Sequence, residues 1–256
     1  MIRQKLIEKE IGSPGDFRWR SHEISRIEGL SDAVFALAVT LLVVSLEVPK
    51  TFNELAATIR GFGAFAISFT LLFMIWFNHF KFFRRYGLQD NTTVCLNGVL
   101  LFVVLFYVYP LKFLFSYLVN VFTGGHGEVR LPNGNIEVMV EGNQMATLLL
   151  IFGVGYVAIF GVFILLHLHA YRKRYELGLN QLELFDTRDS IQESALNCGI
   201  GLLSICIAIF GGRYSVLAGP IYMLVGVVLT VHGIIMGKGR RRLEKVAMAS
   251  AAQIED

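Results

Sequence analysis

Polar and apolar positions along this chain fall into long blocks. Stretches free of Asp, Glu, Lys and Arg cover 61–80, 91–111, 142–166, 194–212 and 214–237. Each is long enough, or nearly so, to cross ~30 Å of hydrocarbon at about 1.5 Å per residue. The block RIEGLSDAVFALAVTLLVVSLEVP at 26–49 is equally apolar in its second half, but Asp32 stands inside it. Its charge-free core, 33–46, is too short to cross alone, so a sixth span must carry that carboxylate. The pattern predicts six helices, at 27–48, 55–82, 91–117, 143–170, 191–211 and 214–237.

Composition strengthens this reading. Of 256 residues, 54% are hydrophobic and only 17% charged, against about a quarter charged in a soluble domain. The mean hydropathy is +0.57. The predicted class is an all-α integral membrane protein. Charge then sets its orientation. With the N-terminus inside, 18 of the 23 Lys and Arg fall on the cytoplasmic side, and Lys50, Arg60, Lys112, Arg130 and Arg213 fall outside. The positive-inside rule therefore places both termini in the cytoplasm. The division is an N-terminal arm 1–25, a six-helix domain 26–237 and a basic tail 238–256, GKGRRRLEK, suited to anionic headgroups or to stopping transfer. The outer loop 118–142 contains Asn133-Gly134 between alternating residues, a β-hairpin signal. The first 25 residues contain no apolar run of the signal-peptide kind. A net charge of +3 without a basic patch gives no reason to expect nucleic acid. Cys95, Cys198 and Cys206 lie in apolar runs without CxxC spacing, so neither disulfides nor a bound metal is expected. No cofactor is implied.

Polar residues inside a bilayer are costly and need partners. Asp32 lies ~9 Å along the first helix from Arg26, His79 ~7.5 Å into the second from Arg84, and Asn97 ~9 Å into the third from Asn91. Three consecutive helices thus bring Asp32, His79 and Asn97 to one depth, with Trp76 one turn from His79 and able to donate to the same layer. Such a layer serves a hydrogen-bond network that fixes helix register, a proton relay, or general acid–base chemistry. The helical wheel favours the first. Leu41, Val44, Ala33, Leu30 and Arg26 fall within ~40° of Leu37, while Asp32 falls near ~220° and Ser31 near ~120°. The carboxylate faces away from an aliphatic stripe.

These residues resemble a known family. Arg26-Ile-Glu-Gly-Leu-Ser31-Asp32 is similar to the R-x-x-x-F-S-D signature of the transmembrane protein 175 potassium channels. The run AVFALAVTLLVV, the Trp76-x-x-His79 pair and Asn97 also match that pattern. Leu30 replaces the family's Phe, and Asn78 stands where many relatives have a second His. The resemblance implies a potassium-selective cation channel without a carbonyl filter loop, assembled as a homotetramer around four copies of helix 1. It implies apolar constrictions at Leu37, Leu41 and Val44, with a hydroxyl ring from Thr40 beside them. Arg26, Ser31, Asp32, Trp76, His79 and Asn97 would hold helix 1 in place. The partners implied are potassium ions, the lipid bilayer and further copies of the chain. A single six-helix unit implies a multi-pass protein of the bacterial inner membrane. Selectivity over sodium is expected to be modest, since no cage of carbonyls replaces lost water.

The alternative is a proton-coupled secondary transporter using Asp32 and His79 as a relay. Such folds favour broken helices and internal repeats, which this chain does not display. An intramembrane enzyme is not expected, because no HExxH pair or nucleophile–base arrangement is evident. Gly153-Val154-Gly155-Tyr156 superficially matches the filter of ordinary potassium channels, but it lacks the Thr and the final Gly. Close helix approach explains these glycines better.

Overall fold

The computed structural model describes residues 17–21, 23–44, 51–130, 135–142 and 144–255. Among them, six α-helices carry the fold: α1 (Arg26–Val44), α2 (Phe52–Tyr86), α3 (Asn91–Phe122), α4 (Met145–Arg172), α5 (Gln181–Phe210) and α6 (Leu224–Glu255). Helices α2 to α6 are long and apolar enough to cross a membrane. The described part of α1, 19 residues with Glu28 and Asp32 in it, is not in that set.

Several boundaries differ from the sequence expectation, each for a local reason. Helix α5 starts at Gln181 and not near 191, because Asn180 and Glu183 form a capping box: Asn180 Oδ1 accepts from Glu183 N (2.8 Å), and Glu183 Oε2 accepts from Asn180 N (3.0 Å). The expected 171–190 loop shrinks accordingly. Helix α2 continues to Tyr86, so Lys81, Arg84 and Arg85 form its last turns. Helix α3 runs to Phe122, which shortens the loop expected at 118–142. Beyond it, β1 (Glu128–Arg130) pairs antiparallel with β2 (Ile136–Val138), and the Asn133-Gly134 turn lies outside the described residues. The sixth span opens with 3-10 turns, Gly212–Ala218 and Pro220–Met223, before α6 begins. Helix α6 then continues to Glu255, so the basic tail 238–256 is largely helical. Arg240 Nε, 3.0 Å from Asp186 Oδ1, ties it to α5.

Packing radiates from two places. Helices α4 and α5 form the most extensive pair, and α3 touches α1, α2 and α4. Leu100, Val104, Leu111, Phe163 and Leu166 are almost wholly buried between them. Small residues set the spacing. A Cβ on Gly155 would sit 2.2 Å from the Tyr107 ring of α3, and one on Gly153 would sit 2.7 Å from Ile205 of α5. The Gly-Val-Gly-Tyr stretch is thus a seat for neighbouring side chains within continuous helix.

Candidate functional site

Helix α1 begins with a second capping box, Ser25-x-x-Glu28. Ser25 Oγ accepts from Glu28 N (3.2 Å), while Ser25 N points at Glu28 Oε2 (3.4 Å). Glu28 is buried, so the first carboxylate of this helix caps its own N-terminus. One turn later the helix divides into two faces. Glu28, Ser31, Phe35, Ala38 and Leu42 are buried, whereas Gly29, Ala33, Ala36, Leu37 and Thr40 are exposed.

The buried face carries a hydrogen-bond chain. Ser31 Oγ donates to Ile27 O (2.8 Å) and accepts from Asn97 Nδ2 of α3 (2.9 Å). Asn97 Oδ1 accepts from His79 Nε2 of α2 (2.8 Å), which puts the ring proton on Nε2. All three side chains are at most 2% exposed, and Phe35 and Phe83 flank the imidazole. Three helices are thereby pinned at one level by bonds that engage the Ser31 hydroxyl, the Asn97 amide and His79 Nε2.

Asp32 does not join this chain. Its Oδ1 accepts from Trp76 Nε1 of α2 (2.8 Å) on the open side of the helix. Asp32 shares the depth of His79 and Asn97, as expected, but it is Ser31, one residue step and about 100° away, that bonds to Asn97. Asp32 and His79 therefore belong to separate hydrogen-bonded pairs. Arg26 is exposed, and among the described residues no side-chain hydrogen bond holds it. Asn78 lines a small cavity of about 30 Å³ with Lys81, His167 and Glu193, apart from the chain.

The open side of α1 borders a groove of about 290 Å³ against α2, lined by Asp32, Phe35, Val39, Phe69, Phe73 and Trp76. Aromatic rings at 65, 69, 73, 76 and 80 follow one another along α2 at centroid spacings of 5.3–6.2 Å. On the exposed face, Leu37 is 50% exposed. Thr40 is exposed, and its Oγ1 donates to Ala36 O (2.9 Å). Leu41 is half-buried against the core and so stands at the flank of the face. Val44 is the last described residue of α1, and nothing is described of its side chain. Nearby, Lys112 Nζ of α3 donates to the Leu42 carbonyl (2.5 Å).

Sequence reasoning missed two parts of this site: the Ser25–Glu28 capping box, which follows the S-x-x-E pattern and was legible, and Lys112, which carries no sequence signal for its contact.

Comparison with known proteins places this arrangement. The profile described as "Endosomal/lysosomal potassium channel TMEM175" matches residues 26–107, which hold α1, the groove and the hydrogen-bond chain. A potassium channel of Marivirga tractuosa is 41% identical over 244 residues, 94% of this chain and 98% of that protein. The chain belongs to the TMEM175 family. The crystal structure of a variant of the potassium channel MtTMEM175, bound to a nanobody-MBP fusion, superposes with a TM-score of 0.75 at 41% identity. It covers 89% of this chain and all of that one. The structure of a TMEM175 homolog from Chamaesiphon minutus shares the fold, with a TM-score of 0.50 at 23% identity over 86% of this chain and 99% of that one. The chain is thus a multi-pass membrane protein from a family of channels, not of enzymes.

Proposed function

We propose that this chain is a potassium-permeable channel whose ion path is lined by α1 from several copies, four by the family's pattern. The observation that carries this is the division of α1. One face is bonded into the subunit, and the other presents Leu37 and Thr40 with no described part of the same chain covering them. Gathered around an axis, Leu37 side chains make an apolar constriction that excludes water when narrow, with Leu41 and Val44 beyond it. Thr40, whose proton is committed to Ala36, offers oxygen lone pairs to a partly dehydrated cation. Potassium sheds water more readily than sodium, so such a ring favours potassium modestly. The bonded layer of Ser31, Asn97 and His79, with Asp32 on Trp76, holds α1 in register, and no tightly bound metal is needed.

We propose further that both termini lie in the cytoplasm, which the positive-inside count supports, and that the protein sits in a bacterial inner membrane, as its single six-helix unit suggests. The transporter reading loses support from the separation of Asp32 and His79 into different pairs. Purified protein in liposomes is expected to pass potassium down its gradient, at the same rate with or without a proton gradient. Saturable flux that stops when the proton gradient is collapsed overturns the channel reading.

A further inference from the structure

Residues 17–21 lie across the basic end of the bundle and join two helix N-termini that do not otherwise form a main packing contact. At one end they grip α5. Arg18 N and Nε reach Glu183 Oε1 (3.1 and 3.0 Å), and Arg18 and Arg20 NH2 groups reach Oε2 (2.9 and 2.7 Å). The Glu183 carboxylate is only 1% exposed. Arg18 and Arg20 also donate to the carbonyls of Gly178 and Leu177. In the middle, Arg20 N donates to Arg84 O (3.0 Å), Arg84 donates back to Ser21 O (3.1 Å), and Phe17 packs edge-on against Tyr86 (5.4 Å). At the other end, Ser21 Oγ lies 2.9 Å from Glu23 O and 3.3 Å from Glu28 Oε1, inside the capping box of α1.

The same short segment therefore contacts the capping carboxylate of α5 and that of α1. Only four residues separate Ser21 from Arg26, so at ~3.6 Å per residue the start of α1 stays within ~18 Å of the segment. Helix α1 packs mainly on α2 and α3, while α5 belongs to the most extensive helix pair. We propose that this segment is a strap through which the α4–α5 pair fixes the position of α1, making Arg18, Arg20 and Glu183 positioning residues for the ion path. The proposal rests on α1 lining that path. Releasing the strap lets the base of α1 shift and loosens the ring set by Leu37 and Thr40.

Glu183→Gln is the sharpest test, because Gln still completes the α5 capping box while the ion pairs are lost. In liposome flux assays its potassium-to-sodium flux ratio should fall by about fivefold or more, the lower range of coupling between sites. Arg20→Gln should do the same, and the double variant should do no more than either alone. If Glu183→Gln does not assemble, Arg18→Gln and Arg20→Gln carry the test. A lowered melting temperature with unchanged flux and ratio makes the strap merely structural and overturns the proposal. In the same preparations, Leu37→Cys with a cationic thiol reagent reports on the ion path independently. Block there with an unchanged ratio in Glu183→Gln sinks the strap alone. Absence of block sinks the path assignment, and the strap proposal with it.

Discussion

Removing Asn97 should destabilise the protein far more than neutralising Asp32. Asn97→Ala deletes the bonds to Ser31 Oγ (2.9 Å) and His79 Nε2 (2.8 Å). Hydrogen bonds between transmembrane helices are worth about 0.6 kcal/mol each on average. Ser31 keeps its bond to Ile27 O, but His79, 1% exposed, loses the partner of its Nε2–H. An unsatisfied buried group adds about 1–3 kcal/mol. The sum is about 2–4 kcal/mol, a fall in melting temperature of about 5–15 °C for a chain of this size. Asp32→Asn, by contrast, retains an acceptor oxygen for Trp76 and should cost less than about 1 kcal/mol. Thermal unfolding in detergent micelles measures both. A double-mutant cycle of His79→Ala with Asn97→Ala should show strong coupling. Strictly additive effects, or an Asn97→Ala variant that melts with the wild type, would refute the hydrogen-bonded layer as the holder of α1.

Gly155→Ala should destabilise by about 1–3 kcal/mol, since the new methyl overlaps the Tyr107 ring. Gly98→Ala, with open space around its Cβ, should be neutral or stabilising by up to about 1 kcal/mol, and the two melting curves should separate accordingly. Asp90, outside the spans, gives a pH test. Burial pushes its carboxyl up, but bonds from Thr93 (2.6 Å) and His169 (2.8 Å) and the charges of His169 and Lys173 outweigh this and hold it below its usual value. A depressed folded pKa stabilises above the unfolded value of about 4 and is lost as pH falls through the folded one. The melting gap between wild type and Asp90→Asn should therefore be full at neutral pH and close in acid, and a gap that widens in acid contradicts the assignment.

Charge-free length was enough to read the helices, because hydrocarbon thickness is a hard constraint on composition. Helix ends were less legible, because they are set by local capping and by contacts from distant residues. Asn180 and Glu183 move the start of α5 into a polar stretch that a hydropathy reading assigns to a loop. Depth counting put His79 and Asn97 at one level correctly, because helix rise is nearly constant. It could not choose between Ser31 and Asp32 as their partner, since adjacent residues share a depth and differ only in direction. The wheel angle already placed Ser31 and Asp32 about 100° apart, but which of the two directions met α3 depended on tertiary packing. Arg18 and Arg20 were readable only as charges, because their partner Glu183 lies more than 160 residues away. Leu41 illustrates the same limit: it shares the Leu37 stripe by angle but stands half-buried at its edge.

The central claim, that the exposed face of α1 meets the ions, is tested most directly by cysteine accessibility during potassium flux. In a background with Cys95, Cys198 and Cys206 replaced, Leu37→Cys and Thr40→Cys should be blocked by a cationic, water-borne thiol reagent. Phe102→Cys, on the exposed apolar face of α3, should not be. Undiminished flux through treated Leu37→Cys and Thr40→Cys protein, with labelling of both positions verified by mass, would contradict the account.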